Sequence, residues 1–249
     1  MKEIILDEGY MFGIGVFETI AVEEERPILL ELHIERLKRG LKQLGIEGKF
    51  IGSCTIEEYI KENQIKTGVV KVMVSKENIV FSHRDNVYTE KDYDHGFSAT
   101  ISNIIRNETS RLTYIKSFHY GDNLLEKRRA KERGYDEPIF LNTKGQICEG
   151  SCTNLFFVKE GRIYTPKIEC GLLEGTMRKY LCNKFPIIET TILPQQIGEF
   201  EEAFFTNALI GVMPICNIDD IYFKKRKKTL QLQKEYQEEF RIKREKKKN

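Results

Sequence analysis

The sequence predicts a mixed α/β protein of two units with a functional site in the crevice between them. Three observations carry this. The chain has 249 residues, 40% of them hydrophobic, with 15 Phe and 11 Tyr, enough apolar material for one large core or two modest ones. Stretches of period-two alternation interleave with stretches of helical spacing, the pattern of helices packed on sheets. A polar run, Arg106-Asn107-Glu108-Thr109-Ser110, separates two such sets. The expected division is a small α/β unit over 1–105, a linker over 106–112 and a larger unit over 113–249.

In chain order, 16–22 (Val-Phe-Glu-Thr-Ile-Ala-Val) alternates and reads as a strand, with 27–30 as its hairpin partner. Residues 32–44 carry apolar side chains at helical spacing, and Gly45 ends that helix. Residues 56–63 give a second helix, opened by Thr55 as N-cap with Glu58 three positions on. Strands follow over 69–75, 78–82 and 97–105. After the linker, 123–132 reads as a helix stopped at Gly134, and 138–142, 153–158 and 162–165 read as strands. A helix over 175–184 and a strand over 203–206 complete the pattern.

Composition excludes several classes. No apolar run approaches the roughly 18 residues that span a bilayer, and the opening Met1-Lys2-Glu3-Ile4-Ile5-Leu6-Asp7 is too short and acidic for a signal peptide. A cytoplasmic protein with no membrane partner is expected. The six cysteines are scattered without a C-x-x-C pair, so buried thiols are expected rather than disulfides. Cys148 and Cys152 flank Glu149 at a spacing that can hold a metal, but no matching Cys/His pair accompanies them, and no metal is expected. The net charge of +2 hides a basic end: residues 224–249 hold 12 Lys/Arg against 4 Glu, which leaves −6 for the rest. Without an aromatic stacking platform or a nucleic-acid module, this end reads as a solvated amphipathic helix with Leu230, Tyr236 and Phe240 inward.

The residues that carry chemistry begin with Gln146-Ile147-Cys148-Glu149-Gly150-Ser151-Cys152-Thr153-Asn154-Leu155-Phe156. An acidic residue on a tight turn between apolar strands is poor core material unless a cation or a protonated ring nitrogen faces it. Lys116 stands among aromatic residues in Thr113-Tyr114-Ile115-Lys116-Ser117-Phe118-His119-Tyr120. It reads either as a snorkelling surface lysine or as an amine that burial turns toward a carbonyl. Arg36, one helical turn from His33, is a surface charge or a bidentate phosphate clamp. The Gly175-Thr176 step opens a helix whose first N–H groups form an anion site, and Asn207-Ala208 after a strand offers further donors. Gly13-Ile14-Gly15 lacks the third glycine of a dinucleotide loop.

In this order these pieces resemble the class IV (fold type IV) pyridoxal-phosphate enzymes, which include branched-chain aminotransferases, D-amino acid aminotransferases and 4-amino-4-deoxychorismate lyases. The likeness runs from about Asp7 to Asp219 through Phe12-Gly13-Ile14-Gly15-Val16-Phe17-Glu18-Thr19, His33-Ile34-Glu35-Arg36-Leu37, Lys116 with Tyr120, Arg133-Gly134-Tyr135-Asp136-Glu137, the Glu149 segment, Tyr164-Thr165-Pro166 and Leu173-Glu174-Gly175-Thr176-Met177-Arg178. The resemblance implies a D-amino acid aminotransferase-like two-domain fold with pyridoxal 5'-phosphate in the crevice. It makes Lys116 the Schiff-base lysine and acid–base, and Glu149 the partner of the pyridinium nitrogen. Arg36, Gly175, Thr176, Asn207 and Ala208 would hold the phosphate, with Tyr120 and Asn154 near the ring hydroxyl. The segment Asn207-Ala208-Leu209-Ile210-Gly211-Val212-Met213-Pro214-Ile215 looks most like the lyases. The expected activity is therefore release of 4-aminobenzoate and pyruvate from 4-amino-4-deoxychorismate in the folate pathway, by a homodimer. The alternative is an aminotransferase for D-amino or branched-chain amino acids. Lys76 and Arg84 are candidates for a substrate carboxylate. Ile14, where relatives carry Asp, and a short N-terminus depart from the pattern.

Overall fold

Val70, Val72 and Val74 alternate along one stretch and share one face of a strand, and all three are fully buried. The computed structural model describes residues 3–49 and 51–242. It divides into two compact units. One is the chain up to Val87 with Ile115–Tyr120; the other is Tyr88–Tyr114 with the chain from Gly121 onward.

The first unit opens with α1 (Glu8–Phe12), capped by the Asp7 side chain. Its sheet comprises β1 (Gly15–Glu23), β2 (Arg26–Pro27), β3 (Gly68–Ser75) and β4 (Ile79–Arg84), antiparallel in the order β2-β1-β3-β4. Val16, Ile20 and Val22 of β1 join the β3 valines in a core with Ile34, Leu37 and Leu41 of α2 (Leu30–Gln43) and Ile56 and Ile60 of α3 (Ser53–Glu62). The hairpin partner is shorter than 27–30, because the chain turns at Glu24 and Glu25 with positive φ and α2 begins by Leu30. Gly52, not Thr55, is the N-cap of α3, whose first turn already contains Thr55.

The second unit contains α4 (Glu90–His95), β5 (Phe97–Arg106), α5 (Gly121–Glu132), β6 (Glu137–Asn142), β7 (Ile147–Gly150), β8 (Asn154–Lys159), β9 (Arg162–Pro166), α6 (Thr176–Lys184), β10 (Ile187–Thr190), β11 (Glu202–Asn207), β12 (Gly211–Ile218), β13 (Ile221–Tyr222) and α7 (Lys227–Phe240). Its mixed sheet runs β10-β9-β8-β11-β12-β5-β6-β7, with β13 on β12. Leu155, Phe157, Phe205, Met213 and Ile215 are central to its core.

The units divide differently from the expected boundaries. Residues 97–105 belong to the second unit, because β5 pairs with β12 on one side and β6 on the other. The stretch 106–112 is no loose linker: Thr143 Oγ1 donates to the Glu108 carboxylate at 2.6 Å, and Tyr114 donates to the Glu108 carbonyl at 2.6 Å. Lys116, placed by expectation in the larger unit, lies in the first. In α7 the inward positions are Leu232 and Tyr236, while Leu230 points out at 48% exposure. Phe240 packs its ring on Tyr180 and Tyr236. The expected basic run beyond 242 lies outside the described residues. Among the described residues no helix is long and apolar enough to cross a membrane.

Candidate active site

In the first unit, backbone pairing places Lys116. Residues 115–118 run antiparallel along β1: Phe17 N donates to the Lys116 carbonyl and Phe118 N to the Gly15 carbonyl, both at 2.9 Å, around a Val16–Ser117 bridge. Opposed residues of an antiparallel pair share a face. Ser117 is therefore buried with Val16, and Lys116 emerges beside Phe17. Its Nζ lies 4.5 Å from the Phe17 ring centroid and 5.3 Å from that of Tyr120, and the two rings meet edge to face. The ammonium of Lys71, from β3, lies 4.7 Å from the same Phe17 ring. Burial pushes the Lys71 amine below its usual range, and the charge of Arg84 adds to this.

The opposite face of β1 carries Glu18, which is 1% exposed. Arg36 donates Nε at 2.7 Å and Nη2 at 2.6 Å to its two oxygens, and His33 Nδ1 lies 2.6 Å from Oε2. Burial by itself would raise the Glu18 carboxyl; the Arg36 charge and bonds, helped by His33, bring it down to about 2. Burial pushes His33 below its ordinary value, outweighing the pull of Glu18. His33 is thus neutral at pH 7 and donates Nδ1–H, because an ionised carboxylate only accepts.

In the second unit, Glu149 is 7% exposed near the end of β7. Arg106 Nη2 lies 3.3 Å from its Oε1, while Leu173 N at 3.1 Å and Asn154 Nδ2 at 3.4 Å donate to Oε2. The following turn is pinned by fully buried Glu137, which accepts from Ser151 Oγ at 3.0 Å, Cys152 N at 3.1 Å and Thr153 Oγ1 at 3.0 Å and pairs with Lys127. Only glycine fits at 150, where a Cβ would lie 2.2 Å from Thr153 Oγ1 and 2.6 Å from Glu137 Oε1. Gly175 is the N-cap of α6 with no side-chain cap, and a Cβ there would lie 2.1 Å from Asn154 Oδ1. Thr176 follows, buried. Asn207 commits its side chain to the chain itself: Oδ1 accepts from Leu209 N and Ile210 N, and Nδ2 donates to the Cys152 carbonyl at 3.1 Å. The turn at Asn207-Ala208 therefore has its backbone, more than the Asn207 amide, to offer a ligand.

The first unit thus gathers Arg36, Lys116 and Tyr120, and the second gathers Glu149, Asn154, Gly175, Thr176, Asn207 and Ala208. Lys76 and Arg84 do not join a site cluster: Lys76 is exposed on the β3–β4 turn, and exposed Arg84 donates to the Asp85 carbonyl at 2.9 Å. Two residues were not anticipated. Lys71 has a signal of its own, a lone charge in the apolar alternation of 69–75. Arg106 was hidden in an apparent linker. Ile14 packs against the first core. Cys148 donates its thiol to the Cys170 carbonyl at 2.9 Å, and burial pushes that thiol up.

The residues fit a phosphorylated aromatic aldehyde. An amine set among rings suits a carbonyl, a buried carboxylate backed by a guanidinium suits a protonated heterocycle, and a helix start with no side-chain cap suits a phosphate. These are the kinds of donor a carbonyl cofactor needs, the amine in the first unit and the carboxylate and helix start in the second. The class IV aminotransferase family matches residues 15–218, and the chain belongs to it. It is a pyridoxal 5'-phosphate-dependent enzyme with the mixed α/β fold of the type IV group. The aminodeoxychorismate lyase of Bacillus subtilis (strain 168) is 30% identical over 245 residues, covering 87% of this chain and 82% of that protein. The D-alanine aminotransferase of Bacillus licheniformis is 27% identical over 237 residues, covering 86% and 82%. The crystal structure of 4-amino-4-deoxychorismate lyase from Pseudomonas aeruginosa matches with a TM-score of 0.84 at 20% identity, covering 97% of each chain.

Proposed function

We propose that the protein is a cytoplasmic 4-amino-4-deoxychorismate lyase, releasing 4-aminobenzoate and pyruvate for the folate pathway. The observation that carries this choice within the family is the 30% identity to the Bacillus subtilis lyase over 87% of the chain. The lyase-like segment from Asn207 to Ile215 agrees with it. Lys116 holds the cofactor through its amine. Glu149 would pair with the ring nitrogen, and Asn154 and Tyr120 would serve the ring hydroxyl. Arg36 would take the phosphate together with the Gly175-Thr176 helix start and the Asn207-Ala208 turn. The bound cofactor supplies an electron sink for the carbon next to the substrate nitrogen.

Lys116 then takes the proton from that carbon. A proton delivered to the enolpyruvyl methylene lets pyruvate leave as the ring becomes aromatic, so no water or oxidant is consumed. The Phe17 and Tyr120 rings beside Lys116 hold its amine in place for this transfer. Lys71, half-buried beside the same ring, is better placed than Lys76 or Arg84 to meet a substrate carboxylate. A homodimer completes the reading, because Ile4, Ile5, Leu6, Tyr10, Met11 and Phe12 are all more than half exposed.

The likeness to a D-alanine aminotransferase keeps a second reading, transamination of D-amino or branched-chain amino acids by the same lysine. Purified protein loaded with pyridoxal 5'-phosphate is expected to form 4-aminobenzoate from 4-amino-4-deoxychorismate, and Lys116→Ala to lose both that activity and the visible absorbance of the bound cofactor. Rapid conversion of the cofactor to its pyridoxamine form by an amino donor, reversed by 2-oxoglutarate and with no 4-aminobenzoate made, would establish the aminotransferase instead.

A further inference from the structure

We propose that Arg106 is the positioning residue that holds Glu149 as a charged carboxylate for the ring nitrogen of the cofactor; this rests on the reading of Glu149 above. Arg106 ends β5, is held on three sides, and meets Glu149 inside the second unit. Its guanidinium carbon lies 4.3 Å from the Phe140 ring centroid, Nη1 donates to Asn123 Oδ1 at 3.2 Å, and Nη2 pairs with Glu149 Oε1 at 3.3 Å. Asn123 in turn donates to the carbonyl of Ser151, just past Glu149, so the arginine and the turn carrying the glutamate are tied together. The remaining nitrogen, Nε, is buried with no hydrogen-bond partner. A buried unsatisfied donor carries a free-energy cost and calls for an explanation, and the pairing of the outer edge with Glu149 supplies one.

The other oxygen of Glu149 accepts from Leu173 N and Asn154 Nδ2. Both oxygens thus face donors, and a neutral acid would have to turn its O–H against one of them. The guanidinium touches Glu149 itself. It therefore favours the charged carboxylate more than it opposes a protonated ring nitrogen one contact further away. Without it, the proton shared between ring and carboxylate moves toward Glu149, and the ring becomes a weaker electron sink.

The experiment uses full-length protein loaded with pyridoxal 5'-phosphate labelled with 15N in the ring, whose NMR shift reads protonation of that nitrogen. Wild type is expected to show a protonated ring nitrogen. Arg106→Met is expected to move the signal toward the unprotonated position and to lower kcat by about tenfold or more, the size of one charge-assisted hydrogen bond, with cofactor affinity nearly unchanged. Arg106→Lys, which keeps the charge, should stay at the wild-type position; a purely structural role would give no such rescue. If Arg106→Met proves unable to bind cofactor, Arg106→Gln, with a shorter neutral side chain, carries the same expectation. A variant without the charge whose ring nitrogen stays as protonated as in wild type overturns the proposal, whatever its kcat. An unprotonated ring in wild type overturns the reading of Glu149 instead, and that result appears before any substitution is made.

Discussion

Glu18 and His33 couple the first unit to pH, and the sign follows from which state binds more protons. Glu18 is held at about 2 in the folded protein, below the ordinary value near 4.3 of an unfolded chain. Its contribution to stability is complete above the unfolded value and is lost as pH falls toward the folded one. His33 is pushed below its ordinary value. Below about pH 6.5 the unfolded chain takes up a proton that the folded chain refuses, and stability again falls with pH. Both groups act in the same direction. Urea midpoints measured from pH 8 downward should stay level, begin to fall below about 6.5 and fall more steeply below about 4.5. His33→Gln should remove the first part of the decline. A midpoint that rises on acidification, or a decline unchanged by His33→Gln, would contradict the burial argument. Asp7 adds to the acid-sensitive part: its burial is outweighed by bonds from Ser75 Oγ, Glu77 N, Tyr10 N and Asn78 Nδ2, and its carboxyl is held at about 2.

At the scale of elements, α1 and the segment before it are fixed yet apolar on the outside. Asp7 anchors the segment through Ser75 Oγ at 2.6 Å and Glu77 N at 2.8 Å, and Asn78 exchanges hydrogen bonds with the backbone of Ile5. Leu6 at 68% and Phe12 at 64% exposure are therefore held in place without cover, the kind of patch that marks a protein partner. Light scattering should give a mass twice 29.2 kDa for wild type and a shift toward the monomer for Phe12→Asp. A wild-type mass of 29.2 kDa would remove the homodimer. Several longer elements were legible because their periodicity extends over enough residues, as the helical spacing of α2 and the alternation of Val70, Val72 and Val74 in β3 do, but β12 went unread as a strand. Strands of two to four residues, β2, β7, β10 and β13, offer too short a window for period two to declare itself. Lys116 and Glu149 were legible as candidates because a charge among apolar or aromatic neighbours stands out locally. Arg106 was not, since its position in a polar run mimics a linker and the partner that explains it lies far along the chain. The register that brings 115–118 back to β1 is likewise a long-range pairing that no local pattern encodes.

For the whole chain, the basic end has two parts with different physical roles. Residues 243–249 carry five Lys/Arg and one Glu, net +4, so a chain ending at Ile242 changes from +2 to −2 and keeps every residue of the second core described above. The helix α7 is another matter. Leu232 at 0% and Tyr236 at 4% exposure are buried in it. Glu202, in β11, accepts from Lys228 N at 3.0 Å, Thr229 N at 2.9 Å and Thr229 Oγ1 at 2.8 Å at the start of α7. A chain ending at Phe223 would lose two large buried side chains, each worth about 2–5 kcal/mol, and would leave a buried carboxylate without its donors. That sum approaches the total stability of a domain, about 5–15 kcal/mol. The two cuts should therefore separate cleanly. Truncation after Ile242 is expected to keep the thermal midpoint and the cofactor absorbance of the full chain, whereas truncation after Phe223 should give a protein that melts far lower or is recovered unfolded. If the shorter chain kept its midpoint and its cofactor, α7 would be an ornament on the second unit, and the burial of Leu232 and Tyr236 would have to be judged energetically empty.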